Sequence, residues 1–303
     1  MIQSRQYSVF LYLHYMSAEQ LLSTSTKLPS KIPNRKKIIK TVTETQENVG
    51  DILANTREEI EKGVEIIVQA CRKSGNPNII GFGGDIEESQ DINMKNKYGQ
   101  TLLILAVWNN NIEIVQLLLS HPEILVNEKD KHGQTALMWA AKYENTSIMK
   151  LLLAHNNILV NEKDKYGQTA LILAAGHNHT EITQILLNRP EILVNETDNK
   201  NNTALIWATS KNNFQLVQLL LNRPEILVNE TDRNGFTALI WASEKGYSEI
   251  TQLLLLNPCL ELSVNNQGKK ALELAKTPEI KKLILKKIQE NQGSFSIFRF
   301  LAS

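Results

Sequence analysis

Two cysteines in 303 residues, Cys71 and Cys259, are too few and too far apart for a disulfide framework or a C-x-x-C metal site. Their scarcity points to a reducing, cytoplasmic setting. No apolar run approaches the roughly 18 residues of a membrane-spanning helix, and the short stretch Ser8–Met16 lacks the cleavage site of a signal peptide. Charge of one sign is missing too: 33 Lys and Arg against 32 Asp and Glu leave a formal net charge of +1. Such a chain has no global field to draw it to nucleic acid or to an anionic membrane. Any electrostatic role has to come from local arrangement. Fixed-spacing catalytic signatures such as G-x-S-x-G and H-E-x-x-H are absent. The segment Gly81-Phe82-Gly83-Gly84 lacks the G-x-x-x-x-G-K-[ST] spacing of a phosphate loop and reads as a plain loop. His177-Asn178-His179 pairs two imidazoles without a third ligand nearby in sequence. Neither a cofactor nor a metal is expected.

What the chain does have is self-similarity. Thr101, Thr135, Thr169, Thr203 and Thr237 are each 34 residues apart, and each opens a similar segment: TLLILAV, TALMWAA, TALILAA, TALIWAT and TALIWAS. A second apolar run follows in each copy, and then HPEILVNEKD or a close variant. The threonine suits a helix N-cap, where its hydroxyl accepts from the free backbone N–H groups of the first turn. Leu137, Ala140 and Ala141 share one helical face, and Ile148, Leu151 and Leu152 share one on the second helix. A polar break such as Tyr143-Glu144-Asn145 separates the two helices, and Pro122, Pro190, Pro224 and Pro258 are placed to end the second. An extended ILVN segment then leads to a turn that needs positive φ, with Gly99, Gly133, Gly167 and Gly235 in four copies and Asn201 in the other.

One helix pair cannot bury both of its faces, so neighbouring pairs must stack. The motif Asp130-x-x-Gly133-x-Thr135-x-Leu137, repeated as Asp164, Gly167, Thr169 and Leu171 and as Asp232, Gly235, Thr237 and Leu239, resembles the D-x-x-G-x-T-P-L-H pattern of ankyrin repeats. The resemblance covers roughly three-fifths of the chain, from Ile92 to Ile284. It implies an all-α, ankyrin-repeat solenoid of stacked helix-turn-helix units with projecting hairpin loops, monomeric and not an enzyme. The departures from the pattern are regular. Ala or Leu replaces the family proline, and Ile104, Met138, Ile172, Ile206 and Ile240 replace its histidine. Each copy is also one residue longer than the usual length of about 33, with P-E-I-L-V-N the site of the extra residue.

The domain reading runs from a leader at 1–40, through a helical cap and loop insertion at 41–91, to five repeats at 92–264. A degenerate capping repeat at 265–290 and a tail at 291–303 complete it. In the cap repeat Lys270 stands in place of the threonine, and Thr277-Pro278-Glu279 restarts a helix with proline in its favoured first turn. Asn195-Glu196-Thr197 and Asn229-Glu230-Thr231 match the glycosylation sequon but are repeat copies of one loop.

Trp139, Trp207 and Trp241 alternate with Leu105 and Leu173 at one place in the repeat, which reads as a core position. Trp108 lies three residues further on, where the family's concave face is exposed; its equivalents are Lys142, Gly176, Ser210 and Glu244. Ankyrin domains hold partners by hairpin tips and the first-helix face. By resemblance, that surface comprises Lys97, Tyr98, Gln100 and Trp108, then Lys131, His132, Gln134 and Tyr143, then Lys165, Tyr166, Gln168 and His177. Lys200 and Lys211 follow, and then Arg233, Phe236 and Lys245. Lys97, Lys131, Lys165 and Arg233 fall in register and form a basic ladder if repeats stack at about 10 Å. Tyr98, His132 and Tyr166 form a parallel column of interface-prone side chains. The expected partner is another protein with an acidic surface, and no nucleic acid. A narrower expectation is an effector delivered by an intracellular bacterium into a host cell cytoplasm, resting on the aromatic C-terminal tail GSFSIFRFLAS. The alternative is a targeting module of an enzyme whose active site lies in residues 1–90.

Overall fold

The computed structural model describes residues 91–262 and 267–301, all within the compact unit Ile67–Ser303. The leader, the expected N-terminal capping helices, the loop 74–90 and the alternative active site in 1–90 lie outside the described residues. What is described is helical, with a single isolated bridge between Lys95 and Thr101. Five helix pairs succeed one another: α1 (Leu102–Trp108) with α2 (Ile112–Ser120), α3 (Ala136–Lys142) with α4 (Thr146–Leu153), α5 (Ala170–Gly176) with α6 (Thr180–Leu187), α7 (Ala204–Ser210) with α8 (Phe214–Leu221), and α9 (Ala238–Lys245) with α10 (Ser248–Leu255). A sixth pair closes the stack, α11 (Gln267–Leu274) and the longer α12 (Pro278–Leu301). The last helix runs without a break through position 290, where the sequence separates cap from tail.

Each first helix starts as its threonine dictates. The hydroxyls of Thr101, Thr135, Thr169, Thr203 and Thr237 accept from the N–H three residues on, at 3.2–3.3 Å. The side chains standing in for the family histidine are buried, from Ile104 and Ile240 at 0% exposure to Ile206 at 3%, so dispersion and apolar burial replace a hydrogen bond there. Ala140, Ala174, Ala208 and Ala242 are fully buried, which lets the first helices of successive repeats approach closely. The break between helices needs a positive φ in every repeat, taken by Asn110, Glu144, Asn178, Asn212 and Gly246. Proline is not required to end the second helix: α4 stops at Leu153 with no proline in its connection. Arginines of later repeats cap these ends instead, Arg189 donating to Leu153 O at 3.2 Å and Arg223 to Leu187 O at 2.7 Å.

Two ladders of side chains join repeat to repeat. In the first, the asparagine of ILVN and its first-repeat equivalent Asn93 each bridge to the connection 30–32 residues later. Asn195, for example, donates through Nδ2 to Glu225 O at 2.7 Å and accepts at Oδ1 from Leu227 N at 2.9 Å. Asn93, Asn127, Asn161 and Asn229 do the same. The amides of both sequon asparagines are therefore committed to hydrogen bonds between repeats. In the second ladder, Lys95, Lys129 and Lys163 each reach forward to Glu128, Glu162 and Glu196 at 2.6 Å. The same ammonium groups also donate to the carbonyls of Lys129, Lys163 and Thr197. Asn195→Ala removes two inter-repeat hydrogen bonds and should cost about 1–2 kcal/mol. Urea denaturation should also give a broader transition, because each repeat is held only by its neighbours. An unchanged midpoint and slope would show that the ladder carries no coupling.

Candidate functional site

The hairpin tips form a continuous edge. Lys131 N donates to Tyr98 O at 3.0 Å, Lys165 N to His132 O at 2.9 Å, Asn199 N to Tyr166 O at 2.8 Å and Arg233 N to Lys200 O at 3.0 Å. Each hairpin is closed internally as well, by bonds such as Asp130 N to Gln134 O and Gly133 N to Asp130 O. Lys97, Lys131, Lys165, Lys200 and Arg233 are exposed along this edge, as are Tyr98, His132 and Tyr166. Lys97 lies over the Tyr98 ring at 5.0 Å.

Beneath each tip sits a buried acid or amide. Asp130 Oδ1 accepts from His132 N and Gln134 N at 2.8 and 2.9 Å, and its Oδ2 accepts from Trp139 Nε1 at 3.0 Å. Asp198 and Asp232 repeat this with Trp207 and Trp241, at 3.1 and 3.0 Å. Where the third repeat has Leu173 instead, Gln134 of the preceding repeat donates to Asp164 Oδ2 at 3.2 Å. This corrects the sequence assignment in two ways. Gln100 and Gln134 are buried and Gln168 half-buried, because they close the turn from below instead of facing a partner. The tryptophans are not all core residues either: Trp139 is 7% exposed, but Trp207 and Trp241 are only half-buried. Leucine at this place ends inside the interface, with Leu105 and Leu173 at 1% and 2% exposure. The longer indole extends past it, under the hairpin, where its N–H meets the carboxylate.

The first-helix face carries two aromatic clusters. Toward the N-terminal end, Trp108 packs on Trp139 with ring centroids 5.6 Å apart. Tyr143 stacks on the same indole at 5.4 Å and 11°, and Lys142 lies over both rings. In the middle repeat His177 is exposed and uses Nδ1 on Leu173 O at 3.0 Å, while His179 uses its Nδ1 on Ala141 O. Each imidazole is thus explained by the backbone it holds. Toward the C-terminal end Lys211 and Lys245 lie over Trp207 and Trp241 at 5.8 and 5.3 Å. Phe236, half-buried, meets Trp241 edge-on at 5.5 Å, with Lys270 above it at 4.3 Å. Between the fourth and fifth repeats a cavity of about 370 Å³ opens, floored by Trp207, Trp241 and Ile206 and rimmed by Ser210, Lys200 and Arg233.

A separate apolar column went unread in the sequence. Leu125, Leu159, Leu193 and Leu227 are 52–54% exposed at one position of successive repeats. Their neighbours Ile124, Val126, Ile158 and Val160 are buried. The alternation in I-L-V is the period-two signal of an extended, half-buried segment. Nearby, the Glu225 carboxyl is held below the ordinary range by hydrogen bonding to Arg223 and then by a backbone N–H. For Glu191 the backbone N–H is the larger cause and Arg189 the second.

Comparison with known proteins agrees with this construction. Ankyrin-repeat families match residues 67–164 and 157–232 in a three-copy form, and 211–255 in a many-copy form. The matches span more than half of the chain, which belongs to the ankyrin-repeat family. Among solved structures, the ankyrin repeat domain of Bcl-3, a member of the IkappaB protein family, superposes with a TM-score of 0.60. It is 24% identical, over 73% of this chain and 96% of that one. The ankyrin repeat protein EF0377 gives a TM-score of 0.54 at 24% identity, over 64% and 96%. At these identities the likeness shows the fold alone. No curated protein matches the sequence. Ankyrin repeats generally mediate protein–protein interaction and are generally a non-enzymatic module. No helix among the described residues is long and apolar enough to cross a membrane.

Proposed function

We propose that the protein is a scaffold that holds an acidic segment of another protein between its hairpin tips and its first-helix face. One observation carries this reading: the lysines divide into two rows of opposite character. Lys95, Lys129 and Lys163 are paired with glutamates of the next repeat, at partly exposed positions. Lys97, Lys131 and Lys165, two residues further on, stand exposed at the tips with no carboxylate of the described residues within 4 Å. The aspartates beside them do not neutralise this row, because Asp130, Asp164 and Asp232 point their oxygens inward onto N–H donors. The tips are also bonded to one another, so little ordering remains to be done on binding, which favours affinity.

Replacing Lys97, Lys131 and Lys165 together with Glu tests the reading. Exposed charges contribute roughly 0–1 kcal/mol each to folding, so the melting temperature should stay nearly constant. Affinity for a partner isolated with the intact chain should fall by at least about tenfold, and the wild-type affinity should weaken as salt rises. Equal binding by the reversed variant, with no salt dependence, would remove the tips from the interface.

A further inference from the structure

We infer that the cavity between the fourth and fifth repeats is an anchor pocket for one aromatic side chain of the partner, flanked by carboxylates. This deepens the proposed function and rests on it for the acidic nature of the partner. The chain itself supplies the precedent for the ring. In the first two repeats, Trp108 and Tyr143 together cover the indole of Trp139, the tryptophan of the repeat after Trp108, and leave it 7% exposed. The position equivalent to Trp108 in the fourth repeat is Ser210, and the next indole is Trp241, which stays half-buried. The third repeat has Gly176 there, with no side chain to cover Trp207, which is also half-buried and has Lys211 over its ring. Neither indole thus has an aromatic at the position of Trp108, and Trp241 meets only the edge of Phe236. Both indoles line an open hollow of about 370 Å³, room enough for one side chain.

Charge decides what flanks the ring. Lys200 and Arg233 stand on the rim, joined through the bond from Arg233 N to Lys200 O, and Lys211 and Lys245 lie over the indole faces. Lys245 has Glu244 at 3.3 Å, whereas Lys200, Lys211 and Arg233 have no carboxylate of the described residues within 4 Å. Asp232, in the wall, is already saturated by Asn234 N, Phe236 N and Trp241 Nε1. The rim is therefore basic and the floor aromatic. An aromatic residue between acidic ones matches both.

The probe is acetyl-Asp-Glu-Phe-Asp-Glu-amide, titrated into the full chain at low salt and followed by tryptophan fluorescence. Saturable binding with a dissociation constant below about 1 mM is expected, weakened at least about tenfold when the peptide's Phe is replaced by Ala. Ser210→Trp puts the residue of position 108 into the equivalent place and should weaken binding by at least about tenfold. Trp241→Leu, which adopts the residue found at 105 and 173, should do the same and guards against misfolding of the first variant. Absence of saturation at several millimolar, or undiminished binding by both folded variants, overturns the pocket. If those variants bind normally while the Lys97, Lys131 and Lys165 reversal does not, the tips stand and only the pocket falls.

Discussion

Asp130→Ala should lower the unfolding free energy by about 3–5 kcal/mol, far more than an exposed hairpin residue would, because three donors, two of them in buried bonds, lose one acceptor group. The backbone N–H groups of His132 and Gln134 and the indole N–H of Trp139 all point at this carboxylate. Each buried donor left alone costs about 1–3 kcal/mol. The other repeats supply the controls. In the first repeat Asn96 takes the same two backbone bonds, from Tyr98 N and Gln100 N, and the tryptophan position is Leu105. Amide occurs with leucine in this repeat and acid with tryptophan in three, while in the third repeat Asp164 occurs with Leu173 and takes Gln134 in place of an indole. Asp130→Asn should cost about 1–2 kcal/mol, since only the indole bond is spoiled. In a Trp139→Leu background Asp130→Asn should cost less still, giving a coupling energy of about 1 kcal/mol in the double-mutant cycle. Urea denaturation of the four proteins measures it. A zero coupling would mean that the indole N–H contributes nothing through the carboxylate.

That pairing also marks where sequence reasoning stops. The threonine caps, the buried alanines and the glycine turns were legible because each is decided within one repeat, by helical period or by a single φ. Asn201 could be read as a stand-in for glycine, and its φ is +60°. Gln134 and Trp207 were misplaced because their burial is decided by the next repeat and by side-chain length. At its place a leucine stops inside the interface and an indole does not, though both belong to the same apolar pattern. Gln134 looks like a polar tip residue until Asp164 of the following hairpin is placed against it at 3.2 Å. The cavity depends on two repeats at once, through Ser210 and two indoles. Repetition itself hid the exposed leucines, since Leu125 sits in a segment whose neighbours on both sides are core.

Gly167→Ala should destabilise the protein by about 2–4 kcal/mol, and Gly235→Ala by only about 1 kcal/mol, although both glycines occupy the same turn. Their backbones are alike, with φ of +75° and +70°, so the cost of placing an L side chain in the left-handed region, about 1–2 kcal/mol, is common to both. The difference is the neighbour. A Cβ on Gly167 would stand 2.8 Å from Asn199 N and 3.1 Å from Asp198 C, backbone atoms of the next hairpin, whereas on Gly235 it would meet nothing closer than Lys270 Nζ at 4.0 Å. The crowded atoms belong to the bond from Asn199 N to Tyr166 O that joins two tips, so the added methyl acts as a wedge in the edge itself. Overpacking of this kind adds roughly 1–3 kcal/mol. Gly167→Asn separates the two causes: asparagine tolerates the turn, as Asn201 does, but its Cβ meets the same backbone. It should remain nearly as destabilising as alanine. The wedge should also weaken partner binding beyond its effect on folding, because it displaces Tyr166 and Lys165 from the row of tips. Thermal melts of the three variants, with affinities measured well below the melting point, give the answer. Equal costs for Gly167→Ala and Gly235→Ala would mean that adjacent hairpins are not in contact, and the pre-organised edge on which the binding surface depends would be lost with them.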